Sequence, residues 1–187
     1  MVPLVLEDFM RLRIIVLASL ALLVACAALR PSDRNPVTLV TDVDLARFMG
    51  DWYVIASIPT FIERGAHNAV ETYRLDADGT VATTFSFNAD ASDGPVKVYR
   101  SQGFVLDDKS KAIWGQQYFW PVKADYRISF LSPDYQRTVI TREKRDYVWI
   151  MARTPTISSQ DFNQLVQFVE SQGYDPGKLT KVPQRTR

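Results

Sequence analysis

The chain has 187 residues, 47% of them hydrophobic and 12% aromatic, which is enough for one domain with a full core and tight for two. Its 22 Lys and Arg nearly balance 21 Asp and Glu, leaving a net charge of +1 with no basic block or stripe, so nucleic acid is not an expected partner. The single cysteine, Cys26, cannot form an internal disulfide, and the compartment has to be read from the N-terminus.

From Ile14 to Leu29 the sequence "IIVLASLALLVACAAL" carries no charge, with Arg11 and Arg13 before it and Arg30 and Pro31 after it. That run is short for a spanning helix, which needs about 17 to 25 such residues. The order basic, apolar, small is that of a secretory signal. It resembles the bacterial lipoprotein signal in particular, with Leu23, Val24 and Ala25 leading into Cys26. The resemblance implies that residues 1–25 are removed and that Cys26 carries a diacylglycerol on its sulfur, with a further acyl chain such as palmitate on the new amino terminus. Several chains are needed because each buried methylene contributes about 0.8 kcal/mol and one chain anchors only marginally. Met10 begins a more typical signal than Met1, so either is a candidate start. The alternative is an uncleaved signal anchor with an inert thiol.

Residues 26–43 are polar after Leu29, twice broken by proline and without helical period, and read as the lipidated N-terminus and a flexible tether. As a coil, the sixteen residues from Ala27 to Asp42 would span roughly 20 to 25 Å. Ala27 directly after the cysteine, where Asp is absent, resembles the signal for onward sorting to the outer membrane of Gram-negative bacteria.

The domain proper is expected over residues 44–187. Short β-branched and aromatic runs alternate there with turn clusters, the pattern of an all-β barrel or sandwich. Eight strands are predicted, at 51–58, 68–75, 80–87, 96–106, 111–119, 125–131, 135–142 and 146–153. The connections are short and rich in Asp, Gly, Ser and Pro, which favours antiparallel neighbours joined up and down. One longer connection, "PTFIERGAH" at 59–67, interrupts the series. Val81, Thr83, Phe85 and Phe87 alternate onto one strand face, as do Tyr126, Ile128 and Phe130 onto another. After the strands, Phe162, Leu165, Val166 and Val169 fall on one helical stripe, with Ser158 and Asp161 as a capping start and Gly173 as a stop. The helix is expected to lay that stripe on the outside of the sheet.

These residues resemble the lipocalins, most closely the bacterial outer-membrane lipocalins that are themselves lipoproteins. The resemblance runs from about Asp44 to Tyr174 and rests on "FMGDWYVIA" with Gly50 and Trp52, on "FIERGAHN", on "SQG", and on "RDYVWIMARTPTIS" with Asp146, Tyr147 and Arg153. It implies an eight-stranded antiparallel up-and-down β-barrel, a calyx, with one C-terminal α-helix packed outside. It also implies that Arg153 lies over the Trp52 ring to plug one end, with Gly50 passing beneath. These signature residues are assigned to folding.

Strand alternation then places Phe85, Phe87, Tyr126, Ile128, Phe130, Tyr147, Trp149 and Met151 on the calyx wall, with Tyr118 and Trp120 at the mouth, although for any one ring simple filling of the barrel stands beside ligand contact. Such a lining suits an acyl chain, and the resemblance implies a fatty acid or lysophospholipid. Arg100, Arg127 or Arg142 could meet a head group at the rim, although a surface arginine is usually only solvated. The carboxylates Asp42, Asp44, Glu63, Glu71 and Glu143 form no paired-acid motif, and no nucleophile elbow or phosphate loop is present, so no enzyme is expected. His67, the sole histidine, reads as a surface loop residue, so neither metal nor cofactor is expected. The reading is a membrane-anchored carrier of lipophilic molecules, monomer or homodimer. Its rivals are a lipocalin-type enzyme acting on a lipophilic substrate and a filled-barrel interaction module.

Overall fold

The computed structural model describes residues 35–185. The signal and Cys26 lie outside them. After the short helix α1 (Leu45–Phe48) come eight strands: β1 (Gly50–Ile58), β2 (Ala66–Leu75), β3 (Val81–Ala89), β4 (Val96–Val105), β5 (Ile113–Phe119), β6 (Val122–Leu131), β7 (Arg137–Thr141) and β8 (Val148–Ala152). Helix α2 (Ser159–Ser171), a 3-10 turn (Pro176–Lys178) and a two-residue strand β9 (Thr180–Lys181) complete the chain. Consecutive strands pair antiparallel, and β1 pairs with both β8 and β2, so the sheet closes on itself as an up-and-down barrel. Closure removes the exposed edges that an open sheet would leave for aggregation. β9 adds to the upper part of β1.

The barrel has two apolar layers. Inside lie Val43, Phe48, Trp52, Tyr73, Val81, Phe85, Phe87, Trp114, Ile128 and Met151 among others. Outside, Ala56, Val139, Val148 and Ile150 on the strands meet Leu165 and Val169 of α2. The predicted helical stripe faces the sheet as expected. Ser158 caps the helix by accepting from Asp161 N at 3.0 Å and donating to its carboxylate at 2.7 Å, and Gly173 at φ +85° ends it. Asp161 is held in turn by Arg137, which ties the first turn of α2 to β7.

One alternation is broken. Tyr126 and Ile128 face the interior, but a bulge between Ile128 and Phe130 shifts the register against β7, with Ile128 opposite Ile140 and Phe130 opposite Val139. A one-residue slip turns the following side chains to the other face. Phe130 therefore lies outside the barrel, its ring 5.4 Å from that of Phe168 on α2. It is not part of the calyx wall.

Two long-range connections also depart from expectation. Residues 36–43, expected as the end of the tether, are docked on the barrel. Thr38 N donates to Gln172 Oε1 at 2.7 Å, Val40 N to Ile128 O at 3.1 Å and Val43 N to Ser110 O at 2.9 Å. The second is a seam. β1 and β2 pair only from Gly50 to Tyr53, and above that point the C-terminal tail fills the gap. Val182 N donates to Ile55 O, Asn68 N to Pro183 O, and the Gln184 amide donates to both Val54 O (2.8 Å) and Ala69 O (3.0 Å).

Candidate ligand cavity

The lower end of the barrel is solid. α1 places Phe48 inside, and its ring lies 5.1 Å from Trp52, 5.5 Å from Tyr73 and 5.6 Å from Trp114. Trp114 stacks on Tyr126 at 5.3 Å, so Tyr126 is the top of this aromatic plug. Beneath it the Arg153 guanidinium lies 3.8 Å from the Trp52 ring centroid. It donates to Asp51 O at 2.8 Å, Arg47 O at 2.8 Å and Phe48 O at 3.0 Å. The Trp52 indole N–H donates to Phe48 O at 2.8 Å. Gly50 has φ +92°, a left-handed backbone conformation that favours glycine, and it lies against Arg153 Nη1.

Above Tyr126 the barrel opens into a cavity of about 310 Å³. That is at the lower end of the roughly 300 to 1,000 Å³ usual for small-molecule sites. Its walls come from the β1–β2 connection (Thr60, Phe61, Ile62, Glu63), β4 (Tyr99), β5 (Gln116, Tyr118, Phe119), β6 (Ala124, Asp125, Tyr126), Arg142 and Trp149. Two other depressions, of about 400 and 570 Å³, lie outside the barrel against the C-terminal tail and are more open to solvent. The enclosed, mostly apolar cavity is the better ligand site.

Of the residues expected on the wall, Tyr126 and Trp149 line this cavity, as does Tyr118, expected at the mouth. Phe85, Phe87, Ile128 and Met151 face inward but are buried in the interior core and do not line it. Tyr147 stands in the β7–β8 connection beside Trp149, with the Arg142 guanidinium 5.3 Å from its ring. Asp146 pairs with Arg142 at 3.4 Å, and Tyr147 O accepts from Tyr174 OH at 3.0 Å, so the Asp-Tyr motif braces this loop against the end of α2. Trp120 projects into solvent at 85% exposure. Among the three arginines, Arg142 reaches the cavity wall, whereas Arg127 is held by Asp125 (2.9 Å) and Glu143 (2.8 Å), and Arg100 is exposed. His67, placed at the start of β2, has its Nδ1 3.3 Å from Ser92 Oγ.

The polar interior was not foreseen. Glu71 lies on β2 opposite Trp52 and Phe85, 8% exposed, directly above the aromatic plug. Burial raises its pKa to about 7, and the nearby Glu63 carboxylate adds to the rise, against a hydrogen bond from Tyr73. Tyr73 OH and Tyr126 OH are 2.6 Å apart, which extends this network to the cavity floor. Burial likewise holds both phenols well above their ordinary range. Higher up, Glu63 accepts from Thr60 N at 2.8 Å and from Trp149 Nε1 at 3.1 Å; burial raises its pKa despite these bonds. Gln116 donates to Thr83 Oγ1 at 2.8 Å, and its own carbonyl oxygen, packed against Gly103, is buried without a partner. The period of two in "NAVETYRL" places Glu71 on the face of Tyr73, a readable signal, but a carboxylate on an inward face runs against ordinary burial.

A family model described as a lipocalin-like domain matches residues 43–184. Temperature-induced lipocalin-1 of Arabidopsis thaliana is 31% identical over 162 residues, covering 82% of this chain and 86% of the plant protein. The outer membrane lipoprotein Blc of Escherichia coli K12 is 29% identical over 176 residues, covering 94% of this chain and 98% of the bacterial protein. Among solved structures, insecticyanin of the tobacco hornworm superposes with TM-score 0.63 at 15% identity, covering 82% and 87% of the two chains. The cockroach allergen Per a 4 does so with TM-score 0.62 at 16% identity, covering 83% and 97%.

Proposed function

The chain belongs to the lipocalin family, and from that premise we propose that it binds, stores or ferries a lipophilic molecule such as a fatty acid or lysophospholipid, held to a bacterial envelope membrane through lipid on Cys26. The observation that carries the binding role is the aromatic-walled cavity above Tyr126, closed below and opening between the loops. Its depth limits the ligand to the upper half of the barrel, where Tyr118, Trp149 and Ala124 would meet an apolar chain. The polar groups within it are placed to bind and orient a ligand: Glu63 is fixed by Trp149 and Thr60, and Arg142 is paired with Asp146.

The envelope location is supported by the sequence around Cys26 and by relatives named as outer membrane lipoproteins in Escherichia coli and Citrobacter freundii. On this reading Cys26→Ser releases or mislocalises the protein while binding is retained. Native mass spectrometry of the Cys26→Ser chain should find one lipid bound per barrel or per dimer, and Trp149 fluorescence should be quenched saturably by added lysophospholipid or fatty acid. Ala124→Phe, which places a ring in the cavity, should weaken that binding at least tenfold, about 1.4 kcal/mol, without unfolding the barrel. Binding unchanged by Ala124→Phe would refute the cavity as the site. Chemical turnover of lipid by the purified chain would favour the enzyme.

A further inference from the structure

The largest exposed apolar side chains at the open end sit on the tips of its loops. Phe61 in the β1–β2 connection is 79% exposed, and Phe119, Trp120 and Val122 around the β5–β6 turn are 67%, 85% and 53% exposed. Val96, at the start of β4 on the same end, is 68% exposed. Isolated exposed apolar residues are ordinary, but several large rings on the loops around one opening are not. Phe61 and Phe119 also line the cavity, so whatever covers these tips is presented to its mouth.

The course of the chain says what that is. Thr38 is fixed to Gln172, and Gln172 O accepts from Arg145 Nε at 2.6 Å in the β7–β8 connection, which belongs to the open end. From there residues 38–43 descend along β6 to Ser110 in the β4–β5 connection at the closed end. The chain thus enters the domain beside the mouth. Whether residues 14–29 are retained as an anchor or are cut before an acylated Cys26, the membrane lies upstream of residue 35. From Cys26 to Asn35 the chain can reach at most about 30 Å when fully extended, comparable to the width of the domain, which keeps the end where it enters nearest the bilayer.

We propose that the aromatic tips of the β1–β2 and β5–β6 loops, with Trp120 foremost, dock the open end of the barrel on a phospholipid bilayer, so that the cavity mouth faces the lipid it loads or delivers. The choice of a bilayer follows from the shape of the surface: separate convex tips flank an opening, and a fluid interface accommodates them where a rigid protein partner would need matching hollows. Trp and Phe are suited to that interface because each pairs a large apolar body with tolerance of the head-group region. The proposal rests on the carrier reading for its purpose and on the N-terminal membrane anchor for its orientation.

The test is the full chain reconstituted in phosphatidylcholine vesicles whose acyl chains are brominated. Of the four tryptophans, Trp52 and Trp114 are fully buried, so collisional quenching reports Trp120 at the rim and Trp149 in the cavity. Trp120→Ala should lower the quenching at least threefold while saturable quenching of Trp149 by lysophosphatidylcholine in solution is unchanged, and Phe61→Ser should lower it further. Equal quenching in wild type and Trp120→Ala would overturn the proposal. So would a dimer, abolished by Trp120→Ala, that forms without lipid quenching, since the tips would then belong to a second copy. Docking without any saturable binding at Trp149 would leave the proposal standing and remove the carrier role instead.

Discussion

The two ends of this barrel are built from the same kinds of residue put to opposite uses. At the closed end Phe48, Trp52, Tyr73 and Trp114 are packed ring against ring, and the carbonyl groups below them are taken up by one guanidinium. At the open end Phe61, Phe119 and Trp120 stand in solvent on loop tips around an unfilled space. An aromatic ring contributes to stability in proportion to the surface that neighbours take out of water, so a ring packed on both faces contributes most. Composition alone therefore does not assign a ring to core or to site; the number of elements converging on it does. In this barrel α1 and Arg153 supply the extra layer at one end, and nothing supplies it at the other.

That contrast can be broken by mutation, beginning where the expected effect is largest. Trp52→Ala should destabilise the chain by about 4 kcal/mol in urea unfolding, because it empties a fully enclosed site and removes the platform for Arg153. Arg153→Ala should cost less, about 2 to 3 kcal/mol, through the lost cover on Trp52 and the carbonyls of Arg47 and Asp51 left without the guanidinium, Phe48 O keeping its bond from the Trp52 indole. If Arg153→Ala melts like the wild type, the plug is not what holds this end.

Comparable in size is the effect of Glu71, at the boundary between the halves. Its pKa is raised from 4.5 to about 7 on folding, so the folded state binds the proton more tightly than the unfolded chain. The stability it contributes is fully present below about pH 4.5 and is lost as the pH rises through 7, a change on the order of 3 kcal/mol. Glu71→Gln should flatten that part of the stability curve and leave the variant the more stable protein at pH 8. A pH profile identical in both proteins would show that the carboxyl is solvated and that the lower half is less closed than its packing indicates.

Smaller again is Gln184→Ala, which strips the amide from Val54 O and Ala69 O in the seam between β1 and β2 and should cost about 1 kcal/mol. The sharper readout is hydrogen exchange, expected to rise at the amides of Val182 and Asn68 rather than throughout the barrel. Smallest is Trp120→Ala, expected within about 0.5 kcal/mol of wild type, since its ring is exposed. A large loss there would erase the distinction between the two ends.

Much of the architecture was legible because it is local. Eight strands, their antiparallel order, the outer helix and its Ser158 cap follow from alternation, turn chemistry and a helical period, each read within a dozen residues. The Trp52–Arg153 plug was legible only through resemblance, since the partners are about a hundred positions apart and no local period joins them. The site was less legible than the fold. Tyr126 and Trp149 lie where alternation put them, yet Phe85, Phe87, Ile128 and Met151 on the same inward faces are in the filled part. Alternation reports which face a side chain takes, not what depth of the barrel it reaches.

By itself, then, the sequence determined the parity of each strand and the fact that its apolar face is buried, since both are properties of consecutive residues. Only the tertiary structure decided where that parity resets, as at the bulge that turns Phe130 out to Phe168, and which inward rings meet an empty space. It alone brought Glu71 onto the plug and Gln184 into the seam, 130 residues from Val54. The physical reason is common to all of these. Register and depth are set by hydrogen bonds and packing between segments remote in the chain, and each such contact depends on where all the other strands have already been placed.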